Sequence, residues 1–363
     1  MIDRLAVPFY DPGLSYEANF AEGPFGAFAK GEVFEQPGEP EHDFLGHKVY
    51  VPFGIPAGPL LNGTFVKAAF AQGFDLCVYK TVRSREYPCH PWPNVLAVHP
   101  QGDLTLRMAS QPLVADTHYS EPLSITNSFG VPSRSPDWWQ EDMSRAVQAT
   151  GKGQLLIGSF QGTKSAGGSG AFIDDYALAA RLVQETGAPI LEANLSCPNE
   201  GVGGLLCFDV EGATRLVGAV KDEIGNTPLL LKLAYFSDNE LLRQLVKGVG
   251  SLVQGFSAIN TIPAAVIDRQ GNQALPGEGR LRSGICGSAI AWAGLDMVSR
   301  LSQLRNELGL DYTIVGVGGV RKPQDYRHYR QAGADAVMSA TGAIWHPFLA
   351  GHIKHAILRR SHG

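Results

Sequence analysis

From about residue 50 onward the chain alternates short β-rich runs with helical patterns eight times, each switch marked by a Gly, Asn or Ser turn. That rhythm limits the fold more than any other feature. Strands separated by helices pair in parallel, because a parallel neighbour needs a long crossover. The runs are Val51–Ala57, Asp75–Val82, Gln154–Ser159, Ile190–Leu195, Leu229–Leu233, Phe256–Asn260, Tyr312–Val317 and Ala336–Ser339. Several, such as "PLLLKLA" and "YTIVGVGG", are runs rather than alternating patterns, as expected of strands buried on both faces. Eight of them predict an α/β fold, a closed (β/α)8 TIM barrel, with the open doubly wound sheet as its rival. Helices are predicted at Asp174–Thr186, Asp209–Glu223, Asp238–Lys247, Ser288–Leu308 and Pro323–Ala332, the last with Pro at its start and Gly333 just past its end.

Two segments break the rhythm. Residues 1–49 are rich in Phe, Tyr, Gly and Pro without periodicity, and read as an N-terminal extension packed on a barrel that occupies 50–363. The second segment, about Arg83 to Ser124, holds "YPCHPWPN" and then "VLAVHPQGDLTLRM", where alternation on both sides of "PQGD" predicts a β-hairpin inserted after the second strand. Long loops at the carboxyl end of a barrel are where binding surfaces are built.

Composition excludes several classes. The 30 Lys and Arg against 35 Asp and Glu give a net charge of −5, so no basic field invites nucleic acid. No run approaches the roughly 18 uninterrupted apolar residues of a membrane span, and no membrane partner is expected. Five cysteines without a CxxC pair, behind an N-terminus with no charged-then-apolar leader, read as reduced thiols in a cytoplasmic protein.

Chemistry-bearing residues gather at the predicted strand mouths. "LEANLSCPNE" delivers Asn194, Ser196, Cys197 and Asn199 within six residues, with Pro198 forcing Cys197 into extended backbone. A thiol there serves as nucleophile or base if its pKa falls from ~8.5, or as plain buried packing. Asn127 in "SITNSFGVPS", and Asn260 with Thr261 in "AINTIP", add paired donors and acceptors that suit a flat heterocycle with amide edges; as turn residues they need no ligand. Backbone N–H groups of Phe129, Gly130 and Val131 are placed to take a carboxylate. Lys80 and Lys232 lie in otherwise apolar strands, so each meets an anion or electron-rich ring, acts as a Schiff-base nucleophile, or pairs with a buried carboxylate such as Glu192. "VGVGGV" and "SATGA" close the seventh and eighth strands, where barrels bind phosphate. Gly318 and Gly319 clear a path there, and the N–H groups of Gly319, Ala340 and Thr341 form a cradle. Gly284 and Gly287 of "RSGICG" make a third glycine site.

In this order and spacing, "PAGPL", "YKTV", "NSFGVP", "EANLSCPN", "LLLKLA", "INT", "SGICG", "VGVGGV" and "SATGA" resemble the dihydroorotate dehydrogenase family of FMN-dependent barrels, from about Phe53 to His346. The resemblance implies that Ala57, Gly58, Lys80, Thr81, Asn194, Lys232, Gly284, Gly287, Gly318, Gly319, Ala340 and Thr341 surround FMN in a barrel spanning 50–363. It places Asn127, the backbone of Phe129, Gly130 and Val131, Asn199, Asn260 and Thr261 on the substrate. It makes Cys197 the base, as in the soluble class, where the quinone-using class carries serine, and gives Lys80 or Lys232 the negative charge of the reduced ring to stabilise. A homodimer is implied, with fumarate, NAD through a partner subunit, or oxygen as electron acceptor. Phe129 stands at a usual Met, Ser133 at a usual Asn, "SGICG" replaces "GGLSG", Ala340 replaces a glycine, and "INTIPAA" is drier than usual. Dihydroorotate is therefore the expected substrate, with another dihydropyrimidine or cyclic amide as alternative, a Schiff-base barrel lyase behind these, and a barrel that binds FMN without turnover as a further reading.

Overall fold

Eight short parallel strands close on themselves in chain order in the computed structural model, which describes residues 5–31, 33–164, 168–196 and 206–358. They are β1 (Phe53–Ile55), β2 (Leu76–Val78), β3 (Leu155–Phe160), β4 (Ile190–Asn194), β5 (Leu229–Leu233), β6 (Gly255–Ala258), β7 (Thr313–Val317) and β8 (Ala336–Met338). Pairing of Val337 with Phe53 shuts the ring. Each strand falls within or beside an apolar run predicted from sequence, and the expected (β/α)8 barrel is the fold.

The barrel axis changes character along its length. Alternate residues point inward, so Leu155, Ile157 and Ser159 on β3, and Ile190, Glu192 and Asn194 on β4, stack from bottom to top. The lower layers are apolar: Leu76, Val78, Leu155, Ile157, Ile190, Leu230, Val315, Ala336 and Met338 form one buried cluster. Phe44 and Val49 of the short hairpin His42–Phe44/His47–Val49 join it and seal the amino end. Burying each such side chain is worth about 1.5–3 kcal/mol. The upper layer is polar, with Ser159, Glu192, Asn194, Lys232 and Ser257 all buried.

Helices pad the outside through one apolar stripe each. In Asn239–Val249 the stripe is Leu242, Leu245, Val246 and Val249, and the Asp238 carboxylate caps the helix by accepting from the N–H groups of Glu240 (2.8 Å) and Leu241 (3.2 Å). Helix Pro323–Gln331 opens on its proline and ends before Gly333, which sits at φ +107°.

The expected hairpin exists, but its second arm lies further on. Val95–Val98 pairs antiparallel with Leu113–Asp116, whereas "DLTLRM" forms a helical turn, Leu106–Ala109. Thr105 decides this, because its Oγ1 accepts from the Met108 N–H at 3.2 Å and a local cap outcompetes a ladder. Ser124–Asn127 joins the same sheet. So do Ile262–Ile267 and Arg282–Gly287, from the excursion between β6 and β7, and the five strands close into a second, smaller barrel. Two excursions far apart in sequence thus build one unit.

A charged strap binds that unit to the main barrel. The Glu121 carboxylate accepts from His346 Nε2 at 3.2 Å and from the Arg321 guanidinium. These partners, His346 foremost, hold its pKa down to about 2. A carboxylate depressed below its usual ~4.5 adds stability that is complete above that value and is lost as pH falls through the folded pKa. Glu121→Gln is therefore expected to lower the melting temperature at pH 6, with the gap to the parent closing between pH 5 and 2. A gap that stays constant across that range would show that the strap adds nothing.

Residues before β1 are tied down individually. The Phe9 N–H donates to the Ile344 carbonyl at 3.1 Å, and the Phe9 ring lies 4.3 Å from Phe28 and 6.2 Å from Phe65. Asn19 bonds the backbone of Asp11, Leu14 and Ser15. Among the described residues no helix is long and apolar enough to cross a membrane.

Candidate active site

A cleft opens at the carboxyl ends of the barrel strands, the end where barrel chemistry is carried out. Nine residues singled out from sequence line it: Ala57, Gly58, Asn127, Phe129, Lys232, Asn260, Thr261, Ala340 and Thr341. They come from the ends of β1, β5, β6 and β8 and from the second barrel. Distant segments therefore converge on one cavity.

The walls are apolar, with Ala57, Val317, Ile125 and Ala340 among them, while amides and hydroxyls stand at the edges. Asn260 Nδ2 donates to Ser196 Oγ at 3.0 Å, and Ser196 in turn to Asn194 Oδ1 at 3.2 Å. Asn194 is fixed twice more, by Nδ2 on Gln161 Oε1 (2.7 Å) and by the Tyr176 hydroxyl on its carbonyl (2.7 Å). Asn194 thus anchors Ser196 and, through it, Asn260 at the cleft edge. Thr81 Oγ1 shares a hydrogen bond with Ser159 Oγ at 2.9 Å, and Lys80 Nζ lies 5.1 Å from the centre of the Phe129 ring, a cation–π distance.

Lys232 forms the floor. Its amine is buried, donates to Ser257 Oγ at 3.4 Å, and lies above Glu192, which is fully buried between Ser159 and Ser257. Neither Glu192 oxygen makes a well-formed hydrogen bond among the described residues. Burial pushes the Glu192 carboxyl up and the Lys232 amine down, and the attraction between the two opposes both shifts. The carboxylate weighed from sequence as a lysine partner is present, below the amine rather than in contact with it.

The glycines divide. Gly58, at φ +136°, faces open space at the cleft wall. Gly318 and Gly319 form the turn after β7, and the Tyr329 hydroxyl fixes it by donating to the Gly318 carbonyl at 2.7 Å. Gly284 and Gly287 do not line the cleft. They belong to strand Arg282–Gly287 of the second barrel, where Gly284 pairs with Asn127 and a Cβ would collide with Thr261. Gly130 and Val131 continue the loop beyond Phe129, both at positive φ. Cys197 and Asn199 lie outside the described residues.

Sequence reasoning passed over Cys286 and Tyr10. Cys286 faces the cleft and accepts from Asn127 Nδ2 (3.4 Å) and Thr341 Oγ1 (3.5 Å), while burial raises its thiol pKa. The signal was present in "SGICG", read only for its glycines. Tyr10 reaches the cleft from the N-terminal segment, its ring edge-on to Phe129 at 5.7 Å. No periodicity announces it.

Fold and cleft define a TIM-barrel protein whose site lies at the strand mouths. The family model for dihydroorotate dehydrogenase matches residues 41–360, and the chain belongs to that family. It is 34% identical over 355 residues to the dihydroorotate dehydrogenase of Dictyostelium discoideum, a match covering 94% of this chain and 95% of the relative. It is also similar to the catalytic subunits of dihydroorotate dehydrogenase B (NAD(+)) from Petrotoga mobilis and Bacillus pumilus. These are 29% and 31% identical, over 52% and 51% of this chain and 60% and 57% of theirs.

Proposed function

We propose that this protein oxidises dihydroorotate to orotate, with FMN held in the cleft. The observation that carries the reading is the convergence of Lys232, Asn127, Asn260 and Thr341 on a single cleft with apolar walls. Flat apolar walls with amide edges fit a fused ring, and the turn at Gly318 and Gly319 with the N–H groups of Ala340 and Thr341 fits its phosphate.

Bound FMN supplies the hydride acceptor. The chain's residues do the rest. Lys232, above Glu192, would stabilise the negative charge that the ring gains on reduction, and Lys80 stands over Phe129. Asn127, Asn199, Asn260 and Thr261 orient a ring bearing amide edges, and the N–H groups of Phe129, Gly130 and Val131 take its carboxylate. Cys197 removes a proton from one ring carbon as hydride leaves the adjacent one. Ala57 and Val317 keep water from the reacting face.

The protein is expected to purify yellow with FMN. Anaerobic mixing with dihydroorotate, dihydrouracil and dihydrothymine, followed by visible absorbance, tests the reading: bleaching by dihydroorotate alone is expected. Bleaching by another of the three would reassign the substrate. A colourless protein that borohydride traps with a carbonyl compound would instead assign Lys232 or Lys80 to Schiff-base chemistry.

A further inference from the structure

We propose that two buried arginines, Arg83 and Arg280, are positioning residues that turn the loop 128–131 into a preformed binding site for the substrate's carboxylate. This rests on the dihydroorotate reading above and adds residues that it does not include. The two side chains are 2% and 3% exposed, so neither touches bulk water, and both spend their donors on the loop and its neighbours.

The carbonyls of the loop are engaged one after another from behind. The Ser128 carbonyl accepts from Arg280 Nη2 (2.8 Å) and Asn94 Nδ2 (3.1 Å), and Arg280 Nε also reaches Ser128 Oγ at 3.2 Å. The Phe129 carbonyl accepts from the His90 N–H at 3.0 Å. Arg83 takes the next two, through Nη2 on the Gly130 carbonyl (3.2 Å) and Nε on the Val131 carbonyl (2.9 Å). Its Nη1 anchors the guanidinium on the Gly162 carbonyl (3.0 Å) and Thr163 Oγ1 (3.1 Å), and its plane rests on the Tyr87 ring.

In a planar trans peptide the N–H points opposite to the C=O. The Ser128 and Gly130 carbonyls held by Arg280 and Arg83, with the Phe129 carbonyl held between them by the His90 N–H, therefore turn the N–H groups of Phe129, Gly130 and Val131 away, and among the described residues these three donate to nothing. The series stops at Pro132, which has no N–H. Left-handed backbone at Gly130 (φ +78°) and Val131 (φ +52°) curls the donors into a concavity, the geometry of an anion nest. A β-branched residue does not hold that conformation unaided. The Arg83 fork, bridging the two successive carbonyls, holds it. Arg280 contacts carbonyl and hydroxyl oxygens only, so its charge adds to the pull on a carboxylate.

The test uses the FMN-loaded enzyme and reads orotate affinity, limiting rate and flavin content separately. Parent enzyme that dihydroorotate reduces is the control; failure there sinks the function proposed above and leaves the arginines unjudged by substrate kinetics. Orotate binding to the unreduced flavoprotein still reports on them directly. Arg83→Lys keeps the charge and loses the fork. It is expected to weaken orotate at least about tenfold and raise the half-saturating dihydroorotate concentration in parallel, with limiting reduction rate and FMN content within about twofold. Adding Val131→Gly to Arg83→Lys is expected to restore most of the lost affinity, because glycine adopts the left-handed conformation without help. Arg280→Lys is the second, independent arm, with the same expected direction. Orotate affinity within twofold of the parent in both lysine variants overturns the proposal. So does loss of FMN from both, which would make the arginines general supports of the fold, or a Val131→Gly addition that rescues nothing.

Discussion

Cys197→Ala is expected to slow reduction of bound FMN by dihydroorotate by roughly 10²- to 10⁴-fold near neutral pH, the contribution typical of a positioned base. Flavin content should not change. Strand β4 ends at Asn194, and the Ser196 hydroxyl is held between Asn260 and Asn194 at the cleft edge. Residue 197 is the next in the chain. A thiol base must lose its proton first, so the parent's rate should climb with pH as the thiol titrates, and the alanine variant should lose that climb. Cys286 supplies the internal control. It lines the same cleft, but burial raises its pKa and it serves as acceptor to Asn127 and Thr341, so Cys286→Ala should leave the pH profile in place. Rapid-mixing absorbance on both variants decides the matter. A Cys197→Ala protein reduced as fast as its parent removes the thiol from the mechanism.

Lys354→Ala is expected to destabilise the fold by about 3–5 kcal/mol, the usual effect of stranding one half of a buried ion pair. Lys354, on the C-terminal helix Leu349–Leu358, places Nζ 2.6 Å from Asp75 Oδ1, and both side chains are almost wholly buried. The other oxygen of Asp75 accepts from the Val51 N–H at 2.6 Å. Burial outweighs the attraction of the lysine and leaves the Asp75 carboxyl raised to about 6, so without the amine the carboxylate has little reason to stay ionised. The variant should therefore take up a proton on folding. Its urea midpoint should fall as pH rises from 5 to 8, since a raised folded pKa gives stability that is lost above it. The double variant Asp75→Asn/Lys354→Met should recover part of the loss, because removing both charges leaves no orphan. A drop below about 1 kcal/mol in the single variant would mean that water or a neighbouring group takes over.

What could be read from sequence follows from which contacts leave a pattern. The barrel strands were legible because burial on both faces makes largely apolar runs without alternation, as in Leu76–Val78. The strands of the second barrel were harder. Ile262–Ile267 alternates buried and half-buried residues across "IPAAVI", a sequence apolar at every position, so its periodicity does not show in the letters. Asn127, Asn260 and Lys232 were legible because a polar residue in an apolar context asks for a partner. Arg83 and Arg280 were not. Most of their partners are backbone carbonyls, which every residue possesses, so nothing in the sequence names them. Tyr10 reaches the cleft only through the tertiary path of an aperiodic segment.

The stitch between Phe9 and Ile344 also has a consequence for how the molecule comes into being. A ribosome delivers residue 9 long before residue 344, so the aromatic cluster around Phe9 waits for its anchor until all eight βα units have emerged. Ligand affinity should consequently appear in one event once residue 344 has emerged, rather than grow as successive βα units are added.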